Sequence, residues 1–384
     1  MSFYLAFKEI WHNRGRFLLV AMVVALITTL VLFIAALAQG LGDGNREYIA
    51  KLNGELLVYQ EKTDLSASTS RLGRSLLASV RRVEGVAGAG QVSFSATTLV
   101  FPDDREPLKV SLVGVEPGQP GEPPAFQGST LSRGRSNEAV IDRNAAERAN
   151  IKVGDTITVK SIQGTEEKFY PLTVVGISDG RQYSLQPSVF VPYLTWDKIR
   201  PKGSSEPSVG EFISNIIVVK LNDPANWQGM ANRITKEVGG IEVVDRVKAY
   251  SSTPGYSAQQ STLNTQRYFT LLIGILVLGG FFQIQTLQKV AQIGMLRAIG
   301  TSRFTVGLAS MLQIVTINAI GVLIGVTGAL LLSLTFPPGV PITFSPTAVI
   351  TAVVSLLIIG PLGGLVSVWA LTRVEPLRAI GLAQ

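Results

Sequence analysis

From Phe304 to Thr372 the chain carries no charged residue. A soluble domain charges about one residue in four, so a stretch this long without any belongs in a medium other than water. A bilayer is that medium. The stretch is interrupted once, by "FPPGVPITFSP" (Phe336–Pro346), whose prolines cannot continue a helix. It reads as two spans, 304–334 and 347–371, joined by an uncharged outer loop, 335–346.

Two more uncharged apolar stretches, 17–39 and 268–288, give spans at 17–39 and 267–288. Each can cross a hydrocarbon core of about 30 Å at about 1.5 Å per residue. "ALA" at Ala36–Ala38 resembles a signal-peptidase site. The apolar run before it exceeds the roughly 7–15 residues of a signal peptide, which favours a retained anchor.

Only 16% of the chain is charged, yet its net charge is +7. The placement of that charge argues for membrane topology and against nucleic acid. Lys8, Arg14 and Arg16 precede the first span; Lys289, Arg297 and Arg303 separate the second from the third; Arg373 and Arg378 follow the fourth. The acidic residues in these flanks are Glu9 and Glu375. By the positive-inside rule, segments 1–16, 289–303 and 372–384 are cytoplasmic, including both termini. Residues 40–266 are then extracytoplasmic.

That outer region has the pattern of a folded α+β domain. Strand-like alternation occurs at 92–101, 108–115, 155–162, 170–177, 188–193 and 215–221, and helical patterns at 70–85 and 224–239. Pro/Gly-rich breaks at 116–124 and 200–210 mark loops or a division into lobes. Residues 251–266, proline-free after Pro254, continue the second span outward as a stalk. The expected fold is an α-helical membrane protein with four transmembrane helices and one large α+β extracytoplasmic domain inserted between spans 1 and 2.

Catalytic chemistry is hard to find. There is no cysteine, and His12 is the single histidine. "GDTITVKS" (Gly154–Ser161) has Val159 where a phosphate loop needs its second glycine, and it reads as a strand. "GISDG" (Gly176–Gly180) matches a nucleophile elbow but lacks the following helix and the histidine partner, so a turn ending a strand is the better reading. The uncharged stretches hold no Asp, Glu, Lys or Arg to act as an ion relay. Their polar residues, Gln283, Gln285, Gln313, Thr316 and Asn318, suit interhelical hydrogen bonding better than substrate coordination. Gly321 and Gly325 form a small-xxx-small pair for close helix packing. No metal site and no bound cofactor are expected, and the chain is not expected to be an enzyme. Energy for work across the membrane must come from a partner.

The basic loop "QKVAQIGMLRAIGTSRF" (Gln288–Phe304) reads as a short amphipathic helix. Gln285, Gln288, Lys289 and Gln292 share a polar face, and Val290, Ile293, Leu296 and Ile299 form an apolar stripe. Such a helix lies on a membrane surface or docks in a groove of a soluble protein. This loop, the ending "TRVEPLRAIG" (Thr372–Gly381), and "NEAVIDRNAAERANIKVGDTITV" (Asn137–Val159) followed by "LTVVGI" resemble the macrolide-exporter/FtsX-like permeases of bacterial ABC systems. "FIAALAQGLG" (Phe33–Gly42), Gln292 and "AIGLAQ" are similar to the heme-exporting branch.

The resemblance implies a multi-pass protein of the bacterial inner or plasma membrane. It further implies a permease homodimer with two copies of a separate ABC ATPase, which binds the ATP and Mg, and membrane lipid around it. Such systems work by mechanotransmission, in which ATPase closure moves the helices and stalks pass that motion outward. The loop becomes an ATPase-coupling helix, carried by Gln288, Lys289, Gln292, Ile293, Gly294, Arg297, Ala298, Gly300 and Arg303. Gly294 allows close approach, Gly300 caps the helix, and Arg297 and Arg303 meet acidic groups on the ATPase or lipid headgroups.

The cargo implied is hydrophobic or amphipathic, with heme as the specific candidate. Substrate-path candidates are Leu37, Gln39, Leu41, Glu47, Tyr48, Tyr268 and Phe269, although an interface-belt role suits each of them. Tyr48, Glu47 or Met22 are the side chains available as iron ligands. Two alternatives belong to the same resemblance: an FtsX-like regulator of a cell-wall hydrolase, and a lipid or lipoprotein extrusion permease.

Overall fold

The computed structural model describes residues 8, 11–12, 14–103, 105–203, 213–253, 255–288, 295, 300–336, 340 and 342–372. The elements in chain order begin with α1 (Arg14–Ala50), β1 (Leu56–Gln60), β2 (Leu72–Gly73), α2 (Arg74–Arg82), β3 (Val86–Val100), β4 (Leu108–Val115), β5 (Ala125–Gly128) and β6 (Glu138–Asp142). Next come α3 (Arg143–Ala149), β7 (Thr156–Gln163), β8 (Glu166–Ser178), β9 (Ser188–Pro192), α4 (Tyr193–Ile199), β10 (Ile213–Ser214), β11 (Ile216–Leu221), α5 (Trp227–Val238), β12 (Ile241–Asp245) and α6 (Arg246–Ser251). The long helices α7 (Tyr256–Gln288), α8 (Arg303–Ser333) and α9 (Pro346–Thr372) complete the chain. It divides into a helical unit, Met1–Gly40 with Ser261–Gln384, and an α/β unit, Leu41–Gln260.

In the α/β unit, β3 belongs to two lobes. Its first half pairs with β11, and the order β12-β1-β11-β3 forms an antiparallel sheet. With α2 after β1 and α5 after β11, this is a βαββαβ arrangement of ferredoxin-like type. Alternation along β1 splits its side chains between two cores. Leu56 and Val58 pack with Leu77 and Val80 of α2 and Met230 and Ile234 of α5. Leu57 and Tyr59 face the other way, toward Tyr48, Ile49 and Leu52.

The second half of β3 opens the other lobe, inserted between β3 and β11. Pairings β3–β4, β4–β9, β9–β6, β6–β8, β8–β7 and β7–β3 close a ring of strands. The ring leaves no free edge among its members. Leu99, Val110, Leu112, Ile141, Val159, Leu172, Val174, Val189 and Val191 are buried in one cluster there, joined by Ala145 of α3 and Trp196 of α4. The near-phosphate loop at Gly154–Ser161 is β7, with its amides in a ladder.

The helical unit is built from the first 27 residues of α1 with α7 from Ser261 onward, α8 and α9. The polar stretch before the second apolar run is helical from Tyr256. Among the described residues, Arg14–Gly44 and Phe304–Ser333 are long and apolar enough to cross a membrane, and Pro346–Leu362 is a shorter apolar helix. Gly321 and Gly325 of α8 face α1. A Cβ on Gly321 would fall 2.5 Å from Val24 Cβ, and one on Gly325 would fall 2.5 Å from Thr28 Cβ and 2.6 Å from the Ala25 carbonyl. Glycine lets the backbones meet, and Thr29 Oγ1 then donates to the Gly325 carbonyl at 3.0 Å.

Candidate functional site

The last turns of α1 (residues 41–50) belong to the α/β unit, and a loop between β8 and β9 holds them. That loop is the end of the "GISDG" stretch and its continuation, "RQYSLQP". Leu185 N donates to the Gly44 carbonyl at 3.1 Å, and Tyr48 N donates to the Gln182 carbonyl at 3.2 Å. Gln182 N donates to Glu47 Oε2 at 3.3 Å. Lys51 Nζ reaches Glu47 Oε1 at 2.8 Å and the Gly180 carbonyl at 2.5 Å. Backbone and side chains therefore grip the helix end together.

Charge completes the clamp. A helix C-terminus leaves carbonyls unpaired and carries partial negative charge, so cations belong there. Arg181, with its side chain 7% exposed, donates Nη1 to the Lys51 carbonyl at 2.7 Å and Nε to Asp179 Oδ1 at 2.7 Å. Arg246 Nη1 donates to the Leu52 carbonyl at 2.9 Å. Partial burial works against the Asp179 carboxylate, but Arg181 and Lys51 outweigh it and hold its pKa below the ordinary range.

Tyr48 is the pin of this joint. It is fully buried, and its hydroxyl donates to the Gly121 carbonyl at 2.8 Å. Its ring meets Phe94 edge-on at 5.8 Å and Phe190 at 5.4 Å, while Phe94 stacks on Tyr183 at 3.9 Å. Burial pushes the phenol pKa well above its ordinary value. Gly121 accepts this bond from a left-handed backbone (φ +108°), where a Cβ would fall 2.5 Å from Val92 Cγ2. Its own amide donates to Asn53 Oδ1 at 2.8 Å.

Beneath the clamp lies Asp142, the N-cap of α3. Its Oδ1 accepts from Ala145 N at 2.7 Å and its Oδ2 from Ser188 N at 3.0 Å. Burial pushes its pKa up to about 7, the two amides pull it down, and the Glu47 carboxylate adds to the rise. Since the folded value exceeds the unfolded one, the native state takes up a proton that the unfolded chain does not bind near neutrality. Stability should therefore increase as pH falls from above 7 toward 4, and fade as pH rises through about 7, by up to about 4 kcal/mol. Thermal unfolding across that range should show this slope, and Asp142→Asn should flatten it.

The sequence-derived candidates are distributed as follows. Leu37, Gln39 and Leu41 are half-buried along α1, and Glu47 is held in the clamp. Tyr48 has no surface to offer a substrate, and its hydroxyl is already committed, which removes it as an iron ligand in this state. Met22, Tyr268 and Phe269 are 55%, 72% and 61% exposed in the helical unit. Gln288 ends α7 and accepts a hydrogen bond from Arg16. Gly300 has φ +98°, and Ser302 caps α8 by accepting from Thr305 N at 3.1 Å. Lys289, Gln292, Ile293, Gly294, Arg297, Ala298 and the side chain of Arg303 lie outside the described residues.

Ser178 of the elbow-like motif is buried at the end of β8, where its hydroxyl approaches the Asp179 carbonyl at 3.1 Å. It also donates to the Ile141 carbonyl at 3.4 Å, and among the described residues no cluster of His, Cys, Asp or Glu could hold a metal ion. Lys51, Asp179, Arg181, Gln182, Gly121 and Asp142 did not emerge from the sequence. The one trace of this loop was "GISDG" (Gly176–Gly180), read as a turn ending a strand.

Comparison with known proteins completes the picture. The family described as "MacB-like periplasmic core domain" matches residues 17–237, and "FtsX-like permease C-terminal" matches residues 268–376. The chain is 26% identical over 377 residues to a hemin transport system permease protein, HrtB, of Staphylococcus haemolyticus, covering 98% of this chain and 99% of that one. It is 26% identical over 381 residues to the protein of the same name in Staphylococcus epidermidis, covering 99% of each. Among solved structures it is similar to the periplasmic region of MacB from Actinobacillus actinomycetemcomitans (15% identity, TM-score 0.36, 51% of this chain and 90% of that one). It is also similar to the extracellular domain of the ABC-type transporter YknZ from Gram-positive bacteria (14% identity, TM-score 0.35, 50% and 100%). With both profiles matched in order along the chain, the protein belongs to the MacB-like, FtsX-like family of ABC-transporter permeases.

Proposed function

We propose that this chain is the permease subunit of an efflux system that works by mechanotransmission, powered by a separate ABC ATPase. In this reading four helices span the membrane, both termini are cytoplasmic, two copies of the chain pair with two ATPases, and residues 289–303 receive the ATPase. The observation that carries the reading is α1, one uninterrupted helix of 37 residues from Arg14 to Ala50, clamped at its end by Arg181, Lys51 and Tyr48. A helix without a break, held at its far end by the buried Arg181 and Tyr48, transmits displacement instead of absorbing it. The cargo is a hydrophobic or amphipathic compound. Heme is the specific candidate, supported by the names of the staphylococcal relatives.

Gly294→Trp and Arg297→Glu should each reduce co-purification of the ATPase at least tenfold, with membrane insertion unchanged. Intact association in both variants removes residues 289–303 from the coupling role. Hemin should stimulate the ATPase activity of the reconstituted complex, and loss of the gene should sensitise cells to hemin. Cell chaining without a change in hemin tolerance would instead identify a regulator of a cell-wall hydrolase.

A further inference from the structure

We infer that Asn318 is a positioning residue of the transport cycle, coupling α8 to the proline-interrupted turn of α9; this rests on the mechanotransmission reading above. Pro361 lies in the interior of α9. A proline has no N–H, so the carbonyl four residues back, that of Leu357, loses its donor within the helix. In hydrocarbon no water replaces that donor, and a neighbouring helix must supply it. Asn318, midway along α8, does so: its Nδ2 donates to the Leu357 carbonyl at 3.3 Å and to the Leu356 carbonyl at 3.0 Å.

Two further observations fit the same arrangement. Gly360 precedes the proline, and a Cβ there would collide with the Asn318 amide, so the approach depends on glycine. Asn318 is 1% exposed, and its Oδ1 has no hydrogen-bond partner among the described residues. A side chain serving only as general interhelical glue would use both of its ends. Here the donor end is spent at the proline and the acceptor end goes without. The residue is thus fitted to the turn that the proline leaves without a donor. When α8 is displaced by the loop that precedes it, Asn318 carries α9 along at Pro361.

The test uses the full chain with its co-purifying ATPase in nanodiscs. Because the chain has no native cysteine, spin labels can be placed at Leu331→Cys on α8 and Ile350→Cys on α9, which are 66% and 62% exposed. Trapping with ATP and vanadate should change the label distance, and Asn318→Ala should abolish that change. Separately, Asn318→Ala should lower the melting temperature by about 3 °C in the otherwise native chain, and by much less when combined with Pro361→Ala, which restores the helical donor. Equal losses in both backgrounds overturn the proline-capping assignment. A distance change that survives Asn318→Ala overturns the positioning role alone. No ATP-dependent change in the native chain overturns the mechanotransmission reading, and the positioning role with it.

Discussion

Tyr48→Ala is expected to lower the melting temperature of the protein by about 10 °C. The ring is fully buried among Phe94, Tyr183 and Phe190, and deleting an aromatic side chain from such a site costs about 3–5 kcal/mol. Tyr48→Phe keeps the ring and removes only the bond to the Gly121 carbonyl, which is worth about 1–2 kcal/mol with its acceptor left buried. The order native, Phe, Ala in thermal unfolding separates packing from hydrogen bonding. Equal melting temperatures for the Phe and Ala variants would show that the aromatic cluster does not hold the helix end. The Ala variant should also lose any ATP-driven response of the α/β unit, because α1 is no longer pinned.

Gly325→Leu is the second large effect, expected to cost about 3 kcal/mol and to part α1 from α8. Its new side chain would meet Thr28 Cβ and the Ala25 carbonyl, and a carbonyl cannot rotate away as a long side chain can. The bond from Thr29 Oγ1 to the Gly325 carbonyl goes with it. A disulfide between Thr29→Cys and Gly328→Cys reads the separation directly, since a Cβ on Gly328 would lie 3.3 Å from Thr29 Oγ1. Cross-linking should be efficient in the native background and absent beside Gly325→Leu. Undiminished cross-linking would mean that the glycine seam is dispensable.

Features that depend on a periodic or one-dimensional signal could be read from the sequence. Uncharged length located the apolar helices, and alternation located β4, β7, β8, β9 and β11 within a few residues. Other strands were missed wholly or in part. β1 is buried on both faces, so "LLVYQ" has no alternation to detect. β3 starts at Val86, inside "VAGAGQ", where glycine and alanine mask a strand. Gly90 is there because the Pro120 backbone lies directly over it. The clamp was invisible for a different reason: its partners are distant in sequence, and Arg181 or Asp142 is an ordinary charged residue until the fold buries it. Tyr48 illustrates the limit. As an aromatic at the end of a span it fits a substrate path, and only its surroundings reveal an anchor.

The insertion of the closed ring between β3 and β11 also sets the order in which the chain can fold. All strands of the ring fall between Val86 and Pro192, so that lobe can close once a single continuous segment has been synthesised. β1, which follows α1 directly, pairs with β11 and β12, near residues 216–245. It must wait for nearly the whole α/β unit to be synthesised. The clamp waits too, since Arg181 and Gln182 emerge long after Tyr48. During synthesis the end of the first helix is therefore unanchored, and it becomes fixed only as α7 is about to follow. A chain truncated before Ile241 should leave β1 without its last partner, as a protease-sensitive edge beside a finished ring.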